Sequence, residues 1–555
     1  MIGAESAIEA LRREGVTHVF GLPGTTIMHL IDAIARREDI RWTSVRHEQV
    51  AAFMADGYAR ATGAPGVCMA SRGPGAANLA IGIHNAHAES VPVVAIVGQV
   101  RDGIHHRDAF EEMDLVRFFE PITKWSAEVH AAERIPELIQ RAVRTATSGR
   151  PGPVMISLPL DVQLAPTNSV YQPSFRLPGP APDAREIEKA AELLTRAIRP
   201  VIIAGGGICG PAYDAALTVI AERLHIPVVT SWLRKNAFPN NSPLFCGSLG
   251  YGAVAITEDL VRDADVVLAV GCRFSEFTTK RWTLPPATAT LIHVDIDPDV
   301  IGRYYVPAIG ICADASLATA ALLTATYTVP NPPRRRRDRA YLSHTAYLSQ
   351  VRLAAEAVTA GPSVSSAALV AALGEVLGER RTVLVQDAPS LGTWIQRYID
   401  FTAPGTFYAA AGGSMGWGLP AAMGMQLARP TDPIVTVCGD DSFWMVAQDL
   451  ETAVRERLPV VTVINNNFAF GNTRDRQAVA HGGRYLGVFY GNPDFAEFAR
   501  LLGAHGERVE RDADLRPALN RALDYARDSG LPAVVDVVQD NHEGLPPDLV
   551  PPAAR

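Results

Sequence analysis

The residues with the clearest chemical potential lie near the end of the chain. An apolar, β-branched run, PIVTV, leads into GDDSF (439–443), and a second, PVVTVI, leads into NNNFAFG (465–471). Between them Val446, Leu450 and Val454 recur at helical spacing, which predicts a helix. A strand, a helix and a strand of this length form a right-handed crossover, so both strands run the same way. Their carboxyl ends then lie side by side, where open parallel sheets bind ligands. Asp440 and Asn467 fall just past those two ends. A carboxylate and an amide oxygen converging there suit a hard cation such as Mg²⁺, which shares near-octahedral oxygen ligation with phosphates. Ser442 and the amides at 442–445 suit a diphosphate anion. Taken singly, each residue has a plainer alternative: Asp440 as a helix cap and the asparagines as a turn.

A second candidate lies in RHEQVAAFMADGYARATG (46–63). Glu48 falls in the first turn of a predicted helix whose inward stripe includes Val50, Ala51, Met54 and Tyr58. An acid in a first turn is commonplace on dipole grounds, so its position alone assigns it nothing. GLPGTT (21–26) and SRGPGAAN (71–78) read as strand-to-helix turns of the same domain, with glycines that let backbone approach a ligand.

What must hold these residues is a set of α/β layers, because Val- and Ile-rich runs alternate with helix-length segments. VCMAS (67–71), VPVVAIVG (91–98) and PVMISLP (153–159) place a first parallel-sheet domain at 1–165. PVIIAGGG (200–207), IPVVTS (226–231), ADVVLAVG (264–271) and TLIHVDID (290–297) place a second, Rossmann-like, at 183–328. RTVLVQD (381–387), PIVTVCGD (433–440), LPVVTVINN (458–466) and PAVVDVVQD (532–540) place a third at 361–541. Between the last two, 329–360 reads as a linker whose basic run at 334–339 is solvated, and 542–555 as an extended tail. GGGICG (205–210) and DID (295–297) fail the spacing of a nicotinamide-dinucleotide fingerprint, so a packing role is the default for those glycines.

Composition sets the outer bounds. A chain of 555 residues holds three or four domains at roughly 150 residues each. With 48% hydrophobic and 20% charged residues it reads as a soluble globular enzyme. A net charge of −8 argues against a nucleic-acid partner. Six scattered cysteines offer no zinc spacing and suit reduced thiols in a cytoplasmic protein. MIGAESAIEALRREGV reads as an amphipathic helix rather than a signal peptide. The stretch 401–428 carries no charge, but its glycines and prolines make a membrane span a poor reading. Backbone passing close to a ligand explains it better.

Taken together, HEQVAAFMADGYARATG, RGPGAAN, GRPGPVMISLP (149–159), GGSMGWGLPAA (412–422) and GDDSF…NNN resemble the thiamine-diphosphate-dependent decarboxylase and carboligase superfamily, with acetolactate synthase-like proteins the nearest likeness. The resemblance implies a pyrimidine-binding domain, a central Rossmann-like domain and a diphosphate-binding domain, with active sites between the subunits of a homodimer or homotetramer. It implies that Glu48 bonds the cofactor's aminopyrimidine and moves the proton that activates it. Asp440, Asn467 and the Ala469 carbonyl are implied as Mg²⁺ ligands. Met415 is implied as the apolar wedge under the cofactor, with Gly413, Asp441, Phe470, Ser442 and Ser390 as further cofactor contacts. The implied reaction removes carbon dioxide from a small 2-oxo acid and passes the acyl unit to an aldehyde or 2-oxo acid acceptor.

The departures concern the substrate, whose pocket is expected to include Thr25, Phe110, Glu111 and Arg476. Glu111 replaces the family's usual glutamine, Leu160 a lysine, Phe277 an arginine that holds an acceptor's carboxylate, and Arg476 a tryptophan. Losing a bidentate carboxylate clamp removes roughly 1.5–3 kcal/mol, which disfavours a second pyruvate as acceptor unless Arg72, Arg476 or Lys280 compensates. Asp441 replaces a glycine, and an acid beside a diphosphate needs its side chain turned away. FAD is the alternative occupant of the central domain's glycine loop. A simple decarboxylase of benzoylformate or oxalyl-CoA type is the second reading of the activity, and a cofactor-binding pseudoenzyme a third.

Overall fold

The computed structural model describes every residue except 211–212, 357–362, 388–389, 547–548 and 550–555. Three six-stranded sheets follow one another along the chain, and the strands of each are parallel. The first holds β1 (His18–Gly21), β2 (Arg41–Ser44), β3 (Gly66–Ala70), β4 (Val93–Gln99), β5 (Trp125–Glu128) and β6 (Val154–Pro159), in the order β2-β1-β3-β4-β6-β5. The second holds β7 (Pro200–Ala204), β8 (Val228–Thr230), β9 (Phe245–Ser248), β10 (Val266–Val270), β11 (Thr290–Asp295) and β12 (Ile309–Cys312), in the order β12-β11-β10-β7-β8-β9. The third holds β13 (Val383–Gln386), β14 (Phe407–Ala409), β15 (Ile434–Gly439), β16 (Val460–Asn466), β17 (His505–Val509) and β18 (Ala533–Val538), in the order β14-β13-β15-β16-β18-β17. β4 and β16 are buried along their whole length, as central strands covered by helices on both faces must be.

The first and last domains share a core cluster that runs from Phe20 to Val534. Its centre is the crossing of the helices Glu48–Thr62 and Gly418–Ala428. Two glycines allow this approach. A Cβ on Gly57 would lie 2.2 Å from the Ala421 carbonyl oxygen, and one on Gly424 would lie 2.1 Å from that of Met54. Ion pairs at the rim join Arg41 to Glu456 at 2.5 Å and Arg46 to Glu451 at 2.7 Å.

Two segments differ from the sequence expectation. The basic run at 334–339 is helical rather than extended, opening the helix Arg334–Glu356; Arg334, Arg335 and Arg337 are exposed as expected, but Arg336 is buried. Its guanidinium donates to the carbonyls of Leu194, Thr195, Leu224 and Ala197. A cation there caps the carboxyl ends of the helices Ala184–Arg196 and Ala215–Leu224 and favours their dipoles. The helix expected between β15 and β16 is broken into Asp440–Trp444, a single 3₁₀ turn at Ala447–Asp449, and Leu450–Arg455. The break falls where the first domain intrudes: Gln49 donates to the Met445 carbonyl at 2.6 Å, and the Arg46 amide to Asp449 at 2.8 Å. The amphipathic N-terminal helix spans Gly3–Arg13. The tail expected to be extended lies mostly outside the described residues. No described helix is long and apolar enough to cross a membrane.

Candidate active site

β15 and β16 are neighbours in register, with Gly439 opposite Asn465, so Asp440 and Asn467 emerge together from the carboxyl edge of the third sheet. Asp440 is fully buried. One carboxylate oxygen accepts the Phe468 amide at 2.8 Å and the Asn492 side chain at 2.7 Å, and the other accepts the Asp441 amide at 3.0 Å. The turn that follows is strained at Phe468, whose φ is 55°. A short antiparallel pairing holds it: Phe470 donates to Val488 at 2.9 Å, Tyr490 donates to Phe468 at 3.1 Å, and Ala469 bridges Phe489. Phe470 also packs edge-on against Tyr490. Ser390 closes the far side, its hydroxyl 2.9 Å from where a Gly471 Cβ would sit, with the Asn467 amide nitrogen 3.2 Å from the same point.

This edge fits a cation and an anion together. Burial, with the neighbouring Asp441 charge, pushes the Asp440 carboxyl up to about 7, and burial lifts Asp441 to about 6. Among the described residues neither acid has an ion-pair partner. A buried carboxylate beside a half-buried one is well neutralised by a divalent ion. The Ser442 hydroxyl is buried and, among the described residues, has no hydrogen-bond partner, an orphan that a phosphate oxygen would satisfy. Asp441 is turned onto the Ser442 amide at 2.7 Å, so one of the amides expected to hold an anion is already engaged. Gly413, with a φ of 75°, and Met415 lie on the loop before the helix Gly418–Ala428, in which Gly413 is exposed and Met415 half-buried.

The other cluster lies at the carboxyl edge of the first sheet. Glu48 is buried at the start of its helix, and one of its oxygens accepts from Asn78 at 2.9 Å. The other oxygen faces the start of the helix Pro74–Glu89, 3.1 Å from where a Gly75 Cβ would lie. Arg72 donates its amide to the Thr26 hydroxyl at 3.3 Å and its guanidinium to the Phe110 carbonyl at 2.8 Å; the same guanidinium lies 3.8 Å from Glu111. Phe110 and Thr25 are exposed beside it. Glu48, Arg72, Phe110 and Glu111 are thus brought to one edge of the first domain. Arg476 is exposed on the helix Gly471–His481 of the last domain.

The central domain gives its glycines another use. A Cβ on Gly205 would lie 2.1 Å from the Gly271 carbonyl oxygen, and one on Gly207 would lie 2.8 Å from the Gly271 Cα. The loop after β7 is therefore packed on the end of β10. Phe277 stacks on Trp232 with centroids 4.3 Å apart. Lys280 is held by Glu258 at 2.6 Å.

Sequence reasoning missed Asn78 and Asn492. Asn78 sits inside a motif whose glycines drew attention, and Asn492 sits in GNPD, which reads as an ordinary turn.

Comparison with known proteins matches each of the three domains. Residues 1–118 match the thiamine pyrophosphate enzyme N-terminal TPP binding domain, 187–322 the central domain, and 387–537 the C-terminal TPP binding domain of the same enzymes. The chain is 35% identical to a probable acetolactate synthase large subunit of Methanocaldococcus jannaschii, over 100% of this chain and 94% of that protein. It is 33% identical to an acetolactate synthase of Mycobacterium bovis, over 97% and 88%. It is 32% identical to acetolactate synthase 2, chloroplastic, of Nicotiana tabacum, over 98% and 83%. With all three domains matched in order and full-length relatives above 30% identity, the chain belongs to the thiamine pyrophosphate enzymes, in their acetolactate synthase-like group.

Proposed function

We propose that this protein is a thiamine-diphosphate- and Mg²⁺-dependent carboligase. It removes carbon dioxide from a small 2-oxo acid and transfers the acyl unit to an aldehyde or a 2-oxo acid. The observation that carries the reading is the cluster of Asp440, Asn467 and the Ser442 hydroxyl at the carboxyl edge of the third sheet, beside a buried Glu48 held by Asn78 at the edge of the first. Asp440, Asn467 and the Ala469 carbonyl would hold Mg²⁺, with Ser442 and Ser390 against the diphosphate and Gly413, Met415, Asp441 and Phe470 lining the cofactor. Bound thiamine diphosphate supplies the electron sink that decarboxylation of a 2-oxo acid requires. Glu48 holds and moves a proton at its carboxylate, and Asn78 fixes the orientation of that carboxylate.

The family likeness supports a homodimer or homotetramer in which a second copy completes each site. Six free cysteines, four of them buried, support a reducing, cytoplasmic setting. The packed glycines at 205 and 207 support a structural role for that loop rather than an FAD cradle.

The acceptor is best read as an aldehyde. Arg72 is tied to the Phe110 carbonyl and sits beside Glu111, and Lys280 is paired with Glu258, so two of the three candidate carboxylate clamps are engaged. The test is a panel of 2-oxo acids, each with and without aldehydes, followed by mass spectrometry of the products. Carbon dioxide release at one rate whether or not an acceptor is present would reject carboligation in favour of simple decarboxylation.

A further inference from the structure

We propose that Asn492 is a positioning residue for the divalent cation, an assignment that rests on the Mg²⁺ reading of Asp440. Its side-chain nitrogen donates to the Asp440 carboxylate at 2.7 Å and to the Asn466 side-chain oxygen at 2.9 Å. Its own oxygen accepts the Trp444 indole N–H at 2.9 Å. An indole N–H can only donate, so this bond fixes which way the amide faces and commits its nitrogen to Asp440. Asn466 in turn donates to Asp536 at 2.9 Å, and Asp536 accepts from the Phe495 amide at 3.1 Å and from Arg508 at 3.0 Å. A continuous chain of hydrogen bonds therefore runs under the ends of β15, β16 and β18 and ends on one oxygen of Asp440.

The consequence is geometric. The same Asp440 oxygen also accepts the Phe468 amide, so it is pinned from two directions. The other oxygen accepts the Asp441 amide, which leaves it lone-pair capacity for a cation. Mg²⁺ demands near-ideal octahedral geometry, so a carboxylate free to rotate binds it less well than one held in place. Partners of this kind around metal ligands are worth about 10–100-fold in metal affinity. Tyr490 belongs to the same arm: its backbone pairs with Phe468, and Asn492 follows two residues later.

The test uses the full-length protein with thiamine diphosphate, freed of metal and titrated with Mn²⁺ by electron paramagnetic resonance of the free ion. Asn492→Ala is expected to weaken Mn²⁺ binding by about tenfold or more, and to lower the thermal midpoint of the metal-free protein, since three hydrogen bonds are lost with the side chain. Trp444→Phe keeps the amide but lets it turn, and is expected to weaken binding by a smaller factor. Wild-type affinity in Asn492→Ala overturns the assignment. Should Asn492→Ala fail to fold, Trp444→Phe decides: weaker binding supports the assignment and wild-type affinity overturns it. A wild-type protein that takes up no Mn²⁺ overturns the metal reading itself, an outcome distinct from equal binding by wild type and variant.

Discussion

Trp417 of the last domain donates its indole N–H to Asp56 of the first at 2.8 Å, and Arg60, one turn along the same helix, covers that indole at 4.8 Å. Arg60 also pairs with Asp56 at 2.7 Å and Glu89 at 3.2 Å, and Arg234 of the central domain joins Glu89 at 2.5 Å. Three domains thus meet in one buried charge network directly behind the loop 410–416. Trp417→Phe removes a single hydrogen bond and should cost about 1–2 kcal/mol. Arg60→Met leaves Asp56 without its ion-pair partner and should cost more, about 3–5 kcal/mol. Thermal midpoints of the two variants check the order. A larger loss in Trp417→Phe would place the weight on packing instead.

The crossing of the helices Glu48–Thr62 and Gly418–Ala428 gives a steric prediction. Gly424→Ala puts a Cβ 2.1 Å from the Met54 carbonyl oxygen, and the neighbour is backbone that cannot rotate away. The helices must separate, which opens the core shared by the first and last domains. The cost should exceed the 1–3 kcal/mol typical of overpacking by side chains. Gly378→Ala is the control, since nothing lies within 4 Å of its added Cβ. Comparable melting of both variants would contradict the close-contact account.

These relationships mark what could be read from the chain alone. The buried central strands were legible because burial on both faces demands unbroken Val and Ile, as in β4, β10, β15 and β16. β5, β9, β12, β14 and β17 are all edges, short or only partly buried, and carry no such run. The nearness of Asp440 and Asn467 was legible because a crossover between adjacent parallel strands dictates where their ends meet. Asn492 was not, because it reaches Asp440 through tertiary folding with no periodic signal. The burial of Arg336 was hidden for the same reason: its partners are carbonyls at the ends of two helices far back in the sequence.

Glu48 and Asp440 provide a joint test of chemistry and assembly. Glu48→Gln should fold normally and lower turnover by about 10²–10⁴-fold, the range for loss of a general acid–base group. Asp440→Asn should require far more Mg²⁺ to retain thiamine diphosphate, and a chelator should strip the wild-type cofactor reversibly. If each site lies between subunits, co-expression of the two inactive variants creates hybrids with one intact site. About a quarter of wild-type activity should then return, because half the dimers are hybrid and half their sites are whole. No recovery in verified hybrids would place both residues in a single-chain site.

Asp449 sets a pH dependence of stability with a defined sign. It is buried where the last domain meets Arg46 of the first. One oxygen accepts the Arg46 amide and the Thr452 hydroxyl, both at 2.8 Å, while the other has no partner among the described residues. Burial raises its carboxyl from 3.8 to about 6; the Arg46 amide and Thr452 oppose the rise, the Glu451 charge adds to it, and the Arg46 charge opposes it. The folded state therefore binds this proton more tightly than the unfolded chain. Its contribution to stability is complete below about pH 4 and is lost as pH climbs through about 6. Asp449→Asn keeps the accepting oxygen and removes the charge. Its melting temperature should match that of the wild type near pH 4, exceed it increasingly up to pH 6, and stay ahead by a constant margin above that. Melting temperatures of the two proteins between pH 4 and 8 measure the difference directly. A margin that is flat across this range, or that grows toward low pH, would show that Asp449 is ionised in the folded protein throughout.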